Sequence, residues 1–286
     1  MSLAQVRRIR RLERKMAAPE QWSIPLDPVE MAQEAGLVLD EWQERVVRSS
    51  HHQILLNVSR QAGKSTSAAV LAVHTVLSEP NALALLVSKS LRQSGELFRA
   101  CMSVYRALGR PIRPRQESAL RLELRNGSRI VSLPGKDENI RGFPNVQILI
   151  LDESSRIPDQ LYYSVRPMLA VSRGRVMLLS TPFGDRGHFF EAYCNRHEWD
   201  YFEVPAEECP RISPEWLQAE KETIGDFWFE QEYHCKFLSS VSAAFRAEDI
   251  SKIVDNRIQS WDLSEKPPAP ASPYSLLLPE RMIYGN

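Results

Sequence analysis

The sequence has none of the features that mark a membrane, secreted or zinc-binding protein. No apolar run approaches the roughly 18 residues that cross a bilayer, and no apolar core follows the arginine-rich start, as a secretory signal would require. The 4 cysteines lie far apart, without a Cys-x-x-Cys pair or a histidine at metal-ligand spacing, which argues against a disulfide framework or a zinc site. These absences favour a globular protein of a reducing cytoplasm.

Net charge is also lacking, because 36 basic and 36 acidic side chains cancel. The basic ones are unevenly placed. Arginine outnumbers lysine by 28 to 8, and its planar guanidinium suits phosphate oxygens. Within residues 97–130 only two glutamates oppose eight arginines, which are Arg99, Arg106, Arg110, Arg113, Arg115, Arg121, Arg125 and Arg129. This segment is either an ordinary solvated face or a surface that contacts a polyphosphate backbone.

Short apolar runs alternate with longer amphipathic segments along most of the chain. Four runs rich in Ile, Leu and Val are typical of strands buried on both faces, and they cover 54–58, 83–88, 148–152 and 176–180. Helical patterns lie between them, over 66–77, 91–108 and 160–169. This alternation predicts an α/β fold with a mainly parallel central sheet flanked by helices.

One segment departs from that alternation, and the two ends differ from the middle. Asn126 and Gly127 lie between the apolar runs 121–124 and 129–133, which is a strong hairpin signal. In the first 15 residues, basic side chains surround apolar ones at helical spacing. Prolines mixed with alanine and serine over 261–273 indicate a linker or tail.

The loop between the first predicted strand and the first predicted helix has the character of a phosphate-binding loop. Its residues are Ser59, Arg60, Gln61, Ala62, Gly63, Lys64, Ser65 and Thr66. In this context the backbone N–H groups and the helix N-terminus cradle phosphates. Lys64 would then reach the β- and γ-phosphates of ATP, and the Ser65 hydroxyl would bind Mg²⁺. Val58 stands where the usual pattern has its first glycine.

The third predicted strand ends in two carboxylates, Asp152 and Glu153. Asp152 is suited to hold Mg²⁺ through water, and Glu153 to polarise the attacking water as general base. A buried strand can also end in an acidic turn without any such role. Because this acidic end occurs together with a correctly placed phosphate-binding loop, we expect a P-loop enzyme that hydrolyses MgATP.

Two further pairs fit a nucleotide site. Trp42 could stack on adenine while the Gln43 amide pairs with its edge, although Trp42 could equally pack in the core. Ser180 and Thr181 end the fourth predicted strand with two hydroxyls, before Pro182. In a RecA-like sheet these hydroxyls would lie near the γ-phosphate and sense hydrolysis; the alternative is a polar strand end before a proline turn.

Phosphoryl transfer usually also needs an arginine to stabilise the developing charge. Arg60, inside the loop, could act within the subunit. Arg141, shortly before the carboxylate strand, could act within the subunit or across a subunit boundary. The sequence leaves this choice open.

Taken together, these segments resemble the large terminase subunit, the ATPase motor that packages DNA in tailed bacteriophages. The variant P-loop of that family also lacks the first glycine. The resemblance spans about Leu39 to Phe237 and includes an adenine motif, a Walker B region and a coupling motif, carried here by Trp42-Gln43, by Ile140-Arg141-Gly142 with 148–153, and by Ser180-Thr181-Pro182.

The resemblance implies a RecA-like ATPase with ATP as substrate, Mg²⁺ as cofactor and double-stranded DNA as cargo. It implies a portal protein and a small terminase subunit as partners, a homo-oligomeric ring on the portal, and Arg141 as a finger that reaches the neighbouring ATP. The expected location is the cytoplasm of an infected or lysogenic bacterial host, and transiently the procapsid vertex.

The expected domains are a basic N-terminal arm over 1–28, an ATPase core over 29–198, a small lid subdomain over 199–240 and a tail over 241–286. The family's second domain is a metal-dependent nuclease. Only 49 residues follow Phe237 and they contain no aspartate cluster, so we expect no nuclease activity from this chain.

Two other functions compete with the packaging ATPase. A helicase built from two RecA-like domains carries similar motifs, but the 105 residues after Thr181 are too few for a second domain of about 150 residues. A remnant that binds nucleotide without turnover is the other alternative. The presence of Lys64, Ser65, Asp152 and Glu153 argues against it.

Overall fold

A computed structural model of the chain describes residues 27–135 and 142–239. The predicted basic arm lies outside these residues except for its last two positions, and the predicted tail lies outside them completely. Arg141 also falls outside the described residues.

The described residues contain one eight-stranded sheet in the order β3-β4-β5-β2-β6-β7-β1-β8. The six strands from β5 to β8 in that order pair in parallel, and β3 and β4 add antiparallel pairs at one edge. The strands are β1 Gln53–Val58, β2 Leu83–Ser88, β3 Pro114–Glu117, β4 Arg121–Leu124, β5 Arg129–Pro134, β6 Val146–Asp152, β7 Arg175–Ser180 and β8 Asp200–Val204.

Helices cover both faces of the sheet. In the described part of the chain they are α1 Pro28–Glu34, α2 Glu41–Arg48, α3 Lys64–Ser78, α4 Leu91–Ala107, α5 Asp159–Val165, α6 His188–Cys194, α7 Pro214–Ile224 and α8 Asp226–Glu232. Short 3₁₀ turns include Ser154–Arg156 and Arg166–Leu169. None of these helices is both long enough and apolar enough to cross a membrane.

Two hydrophobic clusters show why the apolar strands are buried on both sides. Successive side chains of a strand point to opposite faces, and so Ile148 and Ile150 of β6 pack with α1 to α4 while Leu149 and Leu151 pack with α5 and α6. This three-layer arrangement confirms the predicted α/β fold with a mainly parallel central sheet.

The predicted elements occur, with small shifts. The third predicted helix divides: α5 ends at Val165, and a 3₁₀ turn continues to Leu169. Pro167 lies in that turn, and proline has no N–H with which to continue an α-helix. The hairpin of β4 and β5 forms around Gly127, whose φ of +84° suits a residue without a side chain.

Seven helices and strands were not predicted individually, namely α1, α2, α6, α7, α8, β3 and β8. Of these, β8 affects the expected domain boundary, because it pairs with β1 within the main sheet, from Ile54 with Asp200 to Val58 with Val204. The sheet therefore continues past residue 198. Helices α7 and α8 follow it and share a small apolar cluster of their own, made by Ala206, Leu217, Phe229 and Tyr233.

The start of β7 gives a test of the packing between strands. A Cβ on Gly174 would lie 2.1 Å from the carbonyl oxygen of Val146 and 2.9 Å from that of Gln147. We expect Gly174→Ala to lower the free energy of unfolding by about 1–3 kcal/mol, as other overpacked sites do. Thermal denaturation would measure it.

Gly95, inside α4, is the matched control because nothing lies within 4 Å of the position its Cβ would take. Gly95→Ala should raise the free energy of unfolding by about 0.5–1 kcal/mol, since alanine favours the helix. A Gly174→Ala protein that unfolds at the wild-type temperature would contradict the close approach of β6 and β7.

Candidate active site

The predicted phosphate-binding loop connects β1 to α3. Gly63 precedes the helix with a φ of +100°, and a Cβ there would lie 2.6 Å from Nε2 of Gln43. Glycine is therefore needed both for the backbone conformation and for the space. A cavity of about 430 Å³ opens beside the loop, lined by Arg60, Gln61, Gly63, Lys64, Ser65, Gln93, Glu96, Leu97, Asp152 and Glu153.

The two predicted carboxylates reach this cavity from β6. Since β7 lies between β1 and β6, the carboxylates and the loop face each other across one strand. Nζ of Lys64 lies 3.9 Å from Oε1 of Glu153. The structure thus brings the residues predicted to bind phosphate and to activate water to one site; their roles stay predictions.

Asp152 is buried, and burial raises its pKa to about 6; the charge of Glu153 adds to this effect and that of Lys64 opposes it. A buried carboxylate beside a second carboxylate is stabilised by a cation. Ser65 contributes a hydroxyl to the same cavity. Carboxylate and hydroxyl oxygens are ligands that Mg²⁺ accepts together with nucleotide phosphates, so these donors fit the predicted metal. No group of three or more His, Cys, Asp or Glu side chains among the described residues could hold a metal ion by itself.

Gln43 connects α2 to the loop. Its Oε1 accepts from the backbone N–H of Asp40 at 2.9 Å, and its Nε2 donates to the carbonyl oxygen of Gly63 at 2.9 Å. The side chain is buried, and both amide atoms are engaged within the protein. Trp42 packs against the larger hydrophobic cluster. The adenine contacts predicted for this pair stay predictions, and the contact seen here supports the loop.

Arg211 also supports the loop, and sequence analysis did not identify it. Arg211 forms an ion pair with Asp40, using Nη1 at 2.8 Å and Nη2 at 2.7 Å. The same Nη2 donates to the carbonyl oxygen of Ala62 at 2.8 Å. Arg211 lies far along the chain and belongs to no local motif, so only the fold reveals this contact.

Ser180 and Thr181 lie fully buried at the end of β7, between the loop and the carboxylates. Oγ of Ser155, in the turn after Glu153, lies 2.7 Å from Oγ of Ser180 and donates to the carbonyl oxygen of Thr181 at 2.8 Å. The hydroxyl of Thr181 donates to Oε2 of Glu232 in α8 at 2.8 Å. This strand end therefore contacts both the turn Ser154–Arg156 and α8.

Glu232 joins two arginines at the site. It accepts from Nε of Arg60 at 2.8 Å and from Nη2 of Arg156 at 2.7 Å. Burial alone would raise the pKa of Glu232. Its hydrogen bonds with Arg60 and Thr181, together with the charges of Arg60 and Arg156, hold that pKa below the usual value. Arg156 also places Nη1 3.3 Å from Oε2 of Glu153.

These contacts form a chain of alternating charge from Lys64 through Glu153, Arg156 and Glu232 to Arg60. Arg60, about half exposed, lines the cavity; its role as an arginine acting within the subunit stays a prediction. Sequence analysis did not single out Arg156 or Glu232. The position of Arg156, three residues after Glu153, was the only local signal for it.

Comparison with known proteins identifies a family. The family model described as terminase large subunit, T4likevirus-type, N-terminal, matches residues 55–252. No curated protein sequence gives a significant match.

Solved structures of phage terminases share the fold. The large terminase ATPase domain of Thermus phage P74-26 has a TM-score of 0.66 at 22% identity, over 73% of this chain and 98% of that one. The large terminase from a thermophilic bacteriophage, in complex with ADP, has a TM-score of 0.56 at 14% identity, over 70% and 54%. The large terminase of bacteriophage HK97 has a TM-score of 0.51 at 15% identity, over 76% and 48%. The match thus covers about half of each of the latter two proteins.

The raised pKa of Asp152 predicts a pH-dependent stability. Because the pKa in the folded protein lies near 6, above the ordinary 3.8, the folded state binds the proton more tightly than the unfolded one. Stability from this group is therefore greatest below about pH 4 and is lost as the pH rises to about 6.

Without Mg²⁺ and nucleotide, Asp152→Asn should raise the free energy of unfolding at pH 8 by about 1–3 kcal/mol, because it removes the buried charge. Asparagine keeps the oxygen that accepts from the backbone N–H of Glu153. At pH 5 the gain should shrink. Thermal denaturation at both pH values measures the difference, and an equal gain at both would contradict a raised pKa.

Proposed function

The chain belongs to the T4likevirus-type family of terminase large subunits, matching its N-terminal part, and we propose that it hydrolyses MgATP to drive double-stranded DNA into a viral procapsid. One observation carries the proposal. The cavity beside the loop is lined by Lys64 and Ser65 on one side and by Asp152 and Glu153 on the other, which is the arrangement that phosphoryl transfer to water needs.

In this proposal the loop's backbone N–H groups and Lys64 bind the β- and γ-phosphates, and Ser65 with Asp152 holds Mg²⁺. The bound ion would neutralise charge on the phosphates. Glu153 accepts a proton from the attacking water, and Lys64 at 3.9 Å keeps this carboxylate at the phosphate end of the cavity. Arg60 stabilises charge that develops on the γ-phosphate.

Helices α7 and α8 are our candidate for the lid subdomain. The lid predicted for 199–240 then begins after β8, which belongs to the main sheet. The lid contacts the site through Glu232 of α8, which forms hydrogen bonds with Arg60, Arg156 and Thr181 simultaneously. A change in charge at the γ-phosphate would alter these bonds, and the predicted coupling role of Ser180 and Thr181 rests on the same contacts.

The DNA-contacting surface is proposed on α4 and the antiparallel strands β3 to β5, where the predicted arginine cluster lies. Most of its charge is already compensated, because five of the eight arginines form ion pairs: Arg99 with Glu96, Arg106 and Arg110 with Glu117, and Arg115 and Arg121 with Glu123. The remaining arginines would supply the attraction for phosphate.

Portal protein, small terminase subunit and a homo-oligomeric ring are proposed as the packaging partners, with Arg141 completing a neighbour's site. The proposed location is the bacterial cytoplasm and, during packaging, the procapsid vertex. Double-stranded DNA is proposed as the cargo of this machinery.

Steady-state ATP hydrolysis with Mg²⁺, with and without double-stranded DNA, tests the proposal. Glu153→Gln should retain ATP binding but lower kcat by about 100-fold or more, as the loss of a general base does. Lys64→Ala should abolish turnover and weaken ATP binding. Glu198→Gln, an exposed glutamate in a 3₁₀ turn, is the matched control and should hydrolyse ATP at the wild-type rate.

Two results would count against this assignment. Turnover that survives Lys64→Ala would remove the loop from the reaction. ATP binding without any turnover, with or without DNA, would favour a nucleotide-binding remnant instead.

A further inference from the structure

Behind the turn Ser154–Arg156 lies a series of hydrogen bonds that the proposed reaction does not use, buried at Ser154 and His188 and half-exposed at Asp159. Oγ of Ser154 lies 2.9 Å from Nε2 of His188, and Nδ1 of His188 lies 2.7 Å from Oδ1 of Asp159. We refer to these three residues as the Ser154–His188–Asp159 relay. It connects the turn after β6 to the first residues of α5 and α6.

The turn that the relay contacts has an unfavourable backbone conformation. Glu153 has a φ of +52° and a ψ of +44°, in the left-handed region that residues with a side chain rarely adopt. The 3₁₀ turn Ser154–Arg156 follows directly. Such a conformation persists only where the surrounding structure holds it. The residue so held is the proposed general base.

The relay is itself rigidly placed. Oδ1 of Asp159 accepts from the backbone N–H of His188 at 2.8 Å as well as from its ring. The ring of Tyr162 stacks on His188 at 4.3 Å with an interplanar angle of 12°. Gly187 leaves room for this contact, since a Cβ there would lie 3.1 Å from Oδ1 of Asp159. His188 therefore presents a fixed acceptor to Ser154.

The direction of the hydrogen bonds follows from their chemistry. An ionised carboxylate only accepts, so Nδ1 of His188 carries the proton and Nε2 accepts from the Ser154 hydroxyl. Burial lowers the pKa of His188 and outweighs the opposite effect of Asp159, which keeps the ring neutral near pH 7. Each donor in the relay thus has one defined acceptor.

The same three residue types form the nucleophilic site of serine hydrolases, but Ser154 is fully buried and no substrate reaches its hydroxyl. A positional role remains. We propose that His188 is a positioning residue for ATP hydrolysis: through Ser154 it holds the turn that directs Glu153 at the attacking water. This inference rests on the proposed function and adds a residue to it.

Kinetics of Ser154→Ala, His188→Leu and the double variant test the proposal. Each single change should lower kcat by about five- to tenfold, the equivalent of one lost hydrogen bond. The Kd for ATP should stay at the wild-type value, because neither residue lines the cavity. The double variant should be no slower than the slower single variant, since both changes remove the same bond. His188→Gln, whose amide oxygen can accept from Ser154, should recover part of the rate.

Tyr163→Phe is the matched control. The Tyr163 hydroxyl donates to Oε2 of Glu191 at 2.8 Å and so links the same two helices, α5 and α6, without contacting the turn. It should leave kcat unchanged even if the melting temperature falls.

Three results are informative. Relay variants that lose thermal stability but keep the wild-type kcat would overturn the positioning role and leave the proposed function intact. Rate effects that multiply in the double variant would show that Ser154 and His188 act separately, which also overturns it. Wild-type turnover independent of Lys64 would overturn the proposed function, and the role of the relay with it.

Discussion

The pairing of buried carboxylates with cations at the carboxyl edge of the sheet is the constraint on which the active site depends. Asp152 and Glu153 lie side by side, and the burial of Asp152 is the main reason that its pKa rises to about 6. Removing one partner of a buried ion pair costs about 3–5 kcal/mol. Lys64 and Arg156, both mostly buried and paired with Glu153, therefore contribute to stability. Nucleotide with its metal ion would enter a site whose charges are already arranged.

The turn Ser154–Arg156 connects the active site to three other elements of the fold. Each of its residues contacts a different part of the fold: Ser154 reaches α6, Ser155 reaches the end of β7, and Arg156 reaches α8. A shift of Glu153 during hydrolysis would thus act on three elements at once. Contacts of this kind are what a motor needs between a chemical step and a mechanical one.

The sequence predicted most of the parallel sheet because strands such as β2, buried on both faces, appear as continuous apolar runs. The weaker signals were missed. In β8 the exposed Glu203 lies next to the buried Phe202 and Val204, and β3 is mostly exposed. Helices α1 and α2, with 7 and 8 residues, are too short to give a clear helical period.

The residues of the functional site likewise divide into those that the sequence predicted and those that only the structure revealed. The sequence by itself determined which residues could bind phosphate and activate water, because Lys64, Ser65, Asp152 and Glu153 belong to short motifs next to the strands that carry them. Only the tertiary structure decided that β7 separates the two motifs, that Gln43 and Arg211 support the loop, and that Glu232 joins Arg60 to Arg156. Those contacts join residues up to 172 positions apart, and no local pattern specifies them, because strand order and helix packing bring the partners together.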